Sequence, residues 1–137
     1  MRLCLLLLYL SISSIGLCGD TSTNVPKDVT VLREWLGDAG PGVDKSAPQV
    51  VIRNRDEYVK ACSEFGLEKH PLEIDFSKEF AVIATSRGSR ISFRSREEGE
   101  GRLKVMSIST RDIRPGLRVG IGVFSRQGVV FVNDTKL

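Results

Sequence analysis

Cysteine and histidine are scarce in this chain, which limits the chemistry that it can carry. Its 137 residues include 3 cysteines and 1 histidine. No C-x-x-C pair and no cluster of cysteine with histidine occurs, so a structural zinc site has no ligands. We therefore expect neither a metal nor a cofactor. A domain of this size also needs no disulfide framework.

The usual constellations of a hydrolase are missing as well. No G-x-S-x-G motif is present, so the serines lack the context of a nucleophile elbow. The single histidine, His70, stands beside Pro71 in a predicted loop. Cys62 falls on the apolar face of a predicted helix, where a thiol behaves as a small hydrophobic side chain. We expect no catalytic residues and no enzyme, and an unrecognised hydrolase remains an alternative.

No apolar run is long enough to span a membrane, because a spanning helix needs ~20 apolar residues. The run from Leu3 to Ile12 is about half that length. It follows Arg2 and precedes small and polar residues, which is the layout of a secretory signal peptide. We predict a signal peptide over residues 1–18 and an exported chain that is periplasmic, cell-surface or secreted.

The cleavage region has a second interpretation. Ile15 to Cys18 is similar to the lipobox that directs lipid attachment to a cysteine, although Leu17 is larger than the residue usual before that cysteine. Cys18 is therefore an alternative lipid-attachment residue, and a diacyl anchor there would hold the chain stably on a membrane. We predict a disordered tether over residues 19–28 and one domain over residues 29–137.

A capped amphipathic helix is the best-defined element of that domain. Asn54 is a good N-cap residue, and Glu57 three residues later completes the pattern of a capping box. Gly66 suits the position just after the helix. The apolar stripe at i, i+4 and i+7 consists of Tyr58, Cys62 and Phe65.

Short strands are predicted for most of the remaining domain. Phe80 to Ala84 is continuously apolar, which indicates a strand covered on both faces. A change of apolar parity at Val105 and Met106 indicates a bulge or a change of strand partner. Gly120 and Gly122 lie on one face of a strand, where they would permit curling or close packing. We expect residues 133–137 to fray.

The predicted order of these elements gives a fold class. Two strands precede the helix, and about five strands joined by tight turns follow it. This order predicts an α+β fold in which one amphipathic helix packs on a small, strongly curled, mainly antiparallel sheet that resembles a half-barrel.

Part of this pattern resembles a known family. A capped helix from Asn54, then Pro71 to Ile74, then Asp75-Phe76-Ser77-Lys78 leading into Phe80–Ala84, is similar to the carboxy-terminal domain family of PrcB, an exported subunit of a bacterial protease complex. The similarity covers about Val50 to Val132. The family often has tryptophan where Tyr58 stands and a glycine-rich turn near Arg87–Ile91. The resemblance implies a non-enzymatic accessory or protein-binding domain.

Positive charge is concentrated in the second half of the chain. Residues 20–80 contain 8 lysines and arginines against 12 acidic residues, whereas residues 81–137 contain 11 against 5. Residues of one parity project from the same face of a strand at ~6.6 Å intervals, so we expect a cationic face. Its predicted binding residues are Arg87, Arg90, Arg94, Arg96, Arg102 and Lys104.

This cationic face has three interpretations. It would bind another exported protein, such as a protease that the domain stabilises or tethers. Alternatively, it would bind an anionic glycan or lipid at the cell surface, since arginine suits carboxylates, phosphates and sulfates. It could also be a solvated sheet face that nearby glutamates partly neutralise. We do not expect a nucleic-acid partner, because exposed aromatic residues are not interleaved with the cations.

Overall fold

The structure is a computed structural model, and it describes residues 28–137. The predicted signal peptide, Cys18 and all of the predicted tether except Asp28 lie outside the described residues. Within this range, 44% of the residues are in strands and a single helix is present.

Four strands form an antiparallel sheet, called here the inner sheet. They are β2 (Arg33–Asp38), β3 (Val50–Ile52), β4 (Glu79–Ser86) and β7 (Arg118–Ser125). Their order in space is β2-β7-β4-β3, so β4 and β7 are the central strands. The two central strands pair along their whole length, from Glu79 opposite Ser125 to Ser86 opposite Arg118.

Five strands form a second sheet, called here the outer sheet. They are β1 (Asp28–Val29), β5 (Ile91–Gly99), β6 (Arg102–Ser109), β8 (Phe131–Val132) and β9 (Thr135–Lys136). Their order in space is β1-β5-β6-β8-β9, and β6 runs parallel to β8 while the other pairs are antiparallel. The hairpin of β5 and β6 is the main part of this sheet.

Helix α1 (Arg55–Glu64) begins and ends as the sequence predicts. The Asn54 side chain accepts a hydrogen bond from the Glu57 N–H at 2.9 Å. Gly66 has a φ of +66°, which allows the Gly66 and Leu67 amides to cap the carbonyls of the last turn. The buried residues of this helix are Tyr58, Ala61 and Cys62. No helix within residues 28–137 has the length and apolarity to cross a membrane.

The inner sheet is the middle layer of three. Alternate residues of β4 point to opposite faces, so Ala81 and Ile83 join the helix-side core while Phe80 and Val82 join the core between the sheets. The prediction that this strand is covered on both faces is confirmed. The same alternation places Val119, Ile121 and Val123 of β7 on the helix side.

The predicted strongly curled α+β half-barrel is wrong. The protein is mostly β, its strands form two sheets, and neither sheet is strongly curled. The physical reason lies partly in Gly120 and Gly122 of β7. A Cβ on Gly120 would lie 2.9 Å from Ile91, and one on Gly122 would lie 2.8 Å from Phe93. The two glycines therefore let the outer sheet pack closely on the inner sheet.

Two smaller predictions also differ from the structure. Residues 133–137 are paired, because β9 hydrogen-bonds to β8 and the Leu137 N–H donates to the Val130 carbonyl at 2.9 Å. The pairing of β5 with β6 continues without a break through Val105 and Met106. The register shift lies instead in β5, between Glu97 and Gly99.

Candidate functional site

The outer face of the β5–β6 hairpin brings together three of the predicted cationic residues. Arg94 and Arg96 project from β5, and Lys104 is the cross-strand neighbour of Arg96 on β6. Like charges directly opposite one another destabilise an isolated strand pair. The cross-strand neighbour of Arg94 is Met106, which is 46% exposed. We call Arg94, Arg96, Lys104 and Met106 the hairpin face.

The charges of the hairpin face are only partly neutralised. Arg96 lies 3.7 Å from the Glu98 carboxylate in an exposed ion pair, which contributes little stability. Arg94 and Lys104 form no ion pair with another residue of the 28–137 range. The face therefore presents two available cations beside an exposed apolar side chain.

The other three predicted residues lie at the two ends of the hairpin. Arg102 is next to the turn, with its guanidinium 4.8 Å from the centre of the Phe131 ring and 3.6 Å from Asp134. Arg87 and Arg90 are at the opposite end, before β5 begins. Arg87 donates a hydrogen bond to the Asp44 carbonyl at 3.2 Å. The six predicted residues thus extend from one end of the hairpin to the other.

A groove of about 510 Å³ runs along the hairpin face beside β1. Arg94, Arg96 and Met106 line one side of it, and the start of the described chain lines the other. The Ser95 hydroxyl donates to the Val29 carbonyl at 2.6 Å, which holds β1 against β5. Val29 and Val31 give the groove apolar surface close to the arginines.

A second cavity, of about 410 Å³, contains His70. The His70 ring lies 5.7 Å from the Tyr58 ring, measured between centres. Among the side chains of residues 28–137, His70 has no hydrogen-bonded serine, cysteine or carboxylate. Burial raises the pKa of Tyr58 to about 12 and also raises the pKa of the Cys62 thiol. The described residues that line this cavity therefore do not form an assembled base and nucleophile.

Carboxylates and other metal-binding side chains are dispersed in the described part of the chain. No group of three or more His, Cys, Asp or Glu side chains within residues 28–137 could hold a metal ion. Asp75 and Glu79, which are close in sequence, serve the local structure. Asp75 accepts from the Ser77 N–H at 3.1 Å, and Glu79 binds Arg33.

Two exposed apolar residues of the outer face were not predicted as binding residues. Met106 and Ile108, the latter 47% exposed, point away from the core between the sheets. The signal for them was the change of apolar parity along β6. Because the strand is regular there, that change places apolar side chains on the solvent face and does not mark a bulge.

No family model, no curated protein and no solved structure matches the chain.

Proposed function

We propose that this chain is an exported, non-catalytic domain that binds another exported protein through the hairpin face and the groove beside it. The observation that carries the proposal is that cations without an ion-pair partner among residues 28–137 lie next to exposed apolar side chains. Arg94 and Lys104 are available for acidic groups, and Met106 belongs to the hairpin face and also lines the groove. Protein–protein interfaces are enriched in arginine and methionine relative to the rest of the protein surface.

The partner surface that fits is acidic with apolar side chains between its carboxylates. An extended segment could lie in the groove, with its carboxylates against Arg94 and Arg96 and an apolar side chain near Val29. Arginine binds a carboxylate with two parallel hydrogen bonds, which fixes orientation as well as affinity. The residue pattern from Asn54 to Ala84, which resembles the PrcB carboxy-terminal domain family although no family model matches the chain, is our reason for proposing an accessory role in an envelope or secreted protease complex. The layout of residues 1–18 supports export.

Photo-crosslinking from the outer face of β5 tests this proposal. A crosslinking amino acid at Ser92, which shares the outer face with Arg94, should trap one defined partner from an envelope or secreted fraction. The double variant Arg94→Ala, Lys104→Ala should weaken capture about tenfold, equivalent to about 1.4 kcal/mol. Its melting temperature should stay near that of the parent, because both side chains are exposed.

The matched control removes two cations from the other side of the molecule. Arg55→Ala, Lys60→Ala changes exposed residues of α1, which packs on the opposite face of the inner sheet. This control should trap the partner as well as the parent does. Equal capture by the parent and by the Arg94→Ala, Lys104→Ala variant would overturn the proposal.

A further inference from the structure

An isoleucine stands out at one end of the outer sheet. Ile113 is 85% exposed, far more than any other large apolar residue among those described. It lies in the loop between β6 and β7, with Arg111 and Arg114 on either side. Arg87 and Arg90 lie in the neighbouring turn between β4 and β5. We call these four arginines and Ile113 the arginine tip.

Hydrogen bonds join the two segments of the arginine tip. The Arg114 N–H donates to the Arg87 carbonyl at 3.0 Å, and the Ser89 N–H donates to the Asp112 carboxylate at 3.1 Å. The Thr110 N–H donates to the Arg90 carbonyl at 3.1 Å. Gly88 allows this approach, because a Cβ there would overlap the Thr110 carbonyl. Ile113 is therefore held outward by fixed neighbours on both sides.

The tip carries a net positive charge. Its four arginines are opposed by Asp112, which lies 3.7 Å from the Arg114 guanidinium. Hydrogen bonds from Thr110 and Ser89 hold the pKa of Asp112 well below its usual range, so the carboxylate keeps its charge and its structural bonds. Arg90 and Arg111 have no ion-pair partner among residues 28–137. The combination is an apolar side chain that protrudes between available cations.

We infer that the arginine tip contacts the surface of an anionic membrane, with Ile113 inserted between lipid headgroups and the arginines bound to phosphate groups. A single protruding side chain suits a deformable lipid interface, since it needs no preformed pocket in its partner. Clustered arginines are attracted to anionic lipids at the membrane surface. This contact is separate from the hairpin face and does not depend on the protein partner proposed above.

A tryptophan probe at the tip tests the inference in the full chain. The predicted leader could bind vesicles by itself, so the measurement must report on one position. Ile113→Trp should show a blue-shifted emission that brominated acyl chains quench, in vesicles of phosphatidylglycerol and phosphatidylcholine in equal parts. The parent protein, whose only tryptophan is Trp35, is measured under the same conditions, and its emission is subtracted from that of the variant.

The matched control places the probe at the other end of the hairpin. Val130 is 45% exposed, and its N–H donates to the Gly101 carbonyl beside the β5–β6 turn. The nine residues of β5 separate this turn from the arginine tip by ~30 Å. Val130→Trp should remain unquenched on the same vesicles.

Three further measurements complete the test. Vesicles of phosphatidylcholine alone should not quench the probe at position 113, and high salt should weaken its quenching on anionic vesicles. Adding Arg111→Gln and Arg114→Gln to Ile113→Trp should reduce the quenching several-fold. Equal quenching at positions 113 and 130, equal quenching on neutral vesicles, or no quenching at position 113 would each overturn the inference. The last result is the one expected if the tip binds an acidic protein.

Discussion

Glu79 shows how a single carboxylate ties separate parts of the inner sheet together. It accepts two hydrogen bonds from the Arg33 guanidinium of β2, at 3.0 and 2.6 Å. It also accepts one from the Asp75 N–H just before β4, at 3.1 Å. The Arg33 hydrogen bonds are the largest cause of a lowered pKa of Glu79.

This lowered pKa predicts how stability depends on pH. The carboxylate binds protons less readily in the folded chain than in the unfolded chain, whose glutamate pKa is about 4.3. The contribution of the ionised Glu79 carboxylate to the free energy of unfolding is therefore complete above about pH 4.3 and is lost as pH falls through the pKa that Glu79 has in the folded chain. Glu79→Gln should flatten the fall of the free energy of unfolding below about pH 5. Urea titrations at a series of pH values measure this effect.

The control for Glu79 is a glutamate without such contacts. Glu68 is exposed and forms no ion pair within residues 28–137. Glu68→Gln should retain the pH dependence of the parent. A Glu79→Gln variant with the same slope as the parent would show that the Arg33 contact does not stabilise the fold.

Gly122 is a second residue that matters for stability, because there is no room for a side chain at its position between β7 and the outer sheet. A Cβ at this position would lie 2.8 Å from Phe93 and 3.2 Å from Phe124, in the core between the sheets. Gly122→Ala should lower the free energy of unfolding by about 1–3 kcal/mol, because the added methyl group overpacks that core. Urea denaturation provides the measurement.

Shortening the opposing ring tests the cause of that loss. Phe93→Leu alone should destabilise the protein by removing buried surface. In the Gly122→Ala background the same change should cost less, since it makes room for the new methyl group. Strictly additive effects in this double-mutant cycle would mean that the Phe93 contact is not what Gly122 accommodates.

At the scale of elements, side-chain amides complete the edge of β6 beyond its short pairing with β8. The Asn133 amide accepts from the Val105 N–H and donates to the Val105 carbonyl, both at 2.9 Å. The Gln49 amide accepts from the Ser107 N–H at 3.0 Å. The two amides thus take the place of a neighbouring strand beside the buried Val105 and the exposed Ser107.

Removing the Asn133 amide should open this edge. Asn133 has a φ of +46°, so Asn133→Gly removes the side chain without adding strain. It should cost about 1–3 kcal/mol, because the Val105 N–H loses its acceptor, while the Val105 carbonyl keeps a hydrogen bond from the Gln49 amide at 2.9 Å. Hydrogen exchange of the Val105 amide should accelerate. Asp134→Gly is the matched control, since Asp134 also has a positive φ but its exposed side chain forms an ion pair with Arg102 and does not bond to the β6 backbone among residues 28–137.

The features of the fold that the sequence could predict depend on residues that are close together in the chain, and the features that it could not predict depend on distant residues. Helix α1 was predicted because its determinants, from Asn54 to Gly66, lie within one short segment. The double coverage of β4 was predicted because a continuous apolar run carries that information locally. The division into two sheets was not, since β4 pairs with β7 across the inserted β5–β6 hairpin. The hydrogen bond between Gln49 and Ser107 was also not predicted, because the two residues are 58 positions apart in the sequence.

The candidate sites divide in the same way. Arg94, Arg96 and Lys104 were placed together from strand parity and a short hairpin, both local properties. The exposure of Ile113 could not be predicted, because it results from hydrogen bonds between two loops that are distant in sequence. Arg87 and Arg90 belong to that end of the molecule for the same reason.

At the scale of the whole molecule, the inner sheet is shared by two cores. Helix α1 packs on one face of β4 and β7, and the outer sheet packs on the other. Loss of either the helix or the outer sheet would expose one apolar face of β4 and β7. We therefore expect the three layers to unfold together as one cooperative unit, as small single domains usually do.

Trp35 makes this cooperativity measurable. It is the only tryptophan, and it packs against the helix-side core, away from the core between the sheets. Leu103 is buried in the core between the sheets, on β6. Leu103→Ala should lower the free energy of unfolding by about 2–5 kcal/mol. Because the layers unfold together, the Trp35 fluorescence transition should shift by the same amount as the far-ultraviolet circular dichroism transition.

A neighbouring residue of the same strand separates this effect from any general weakening of β6. Met106 is exposed on the opposite face from Leu103, so Met106→Ala should leave both transitions within about 0.5 kcal/mol of the parent. If Leu103→Ala shifts the circular dichroism transition alone, the outer sheet unfolds independently of the helix-side core. The shared strands β4 and β7 would then fail to couple the two faces, and the hairpin face could change its structure on binding without disturbing the rest of the domain.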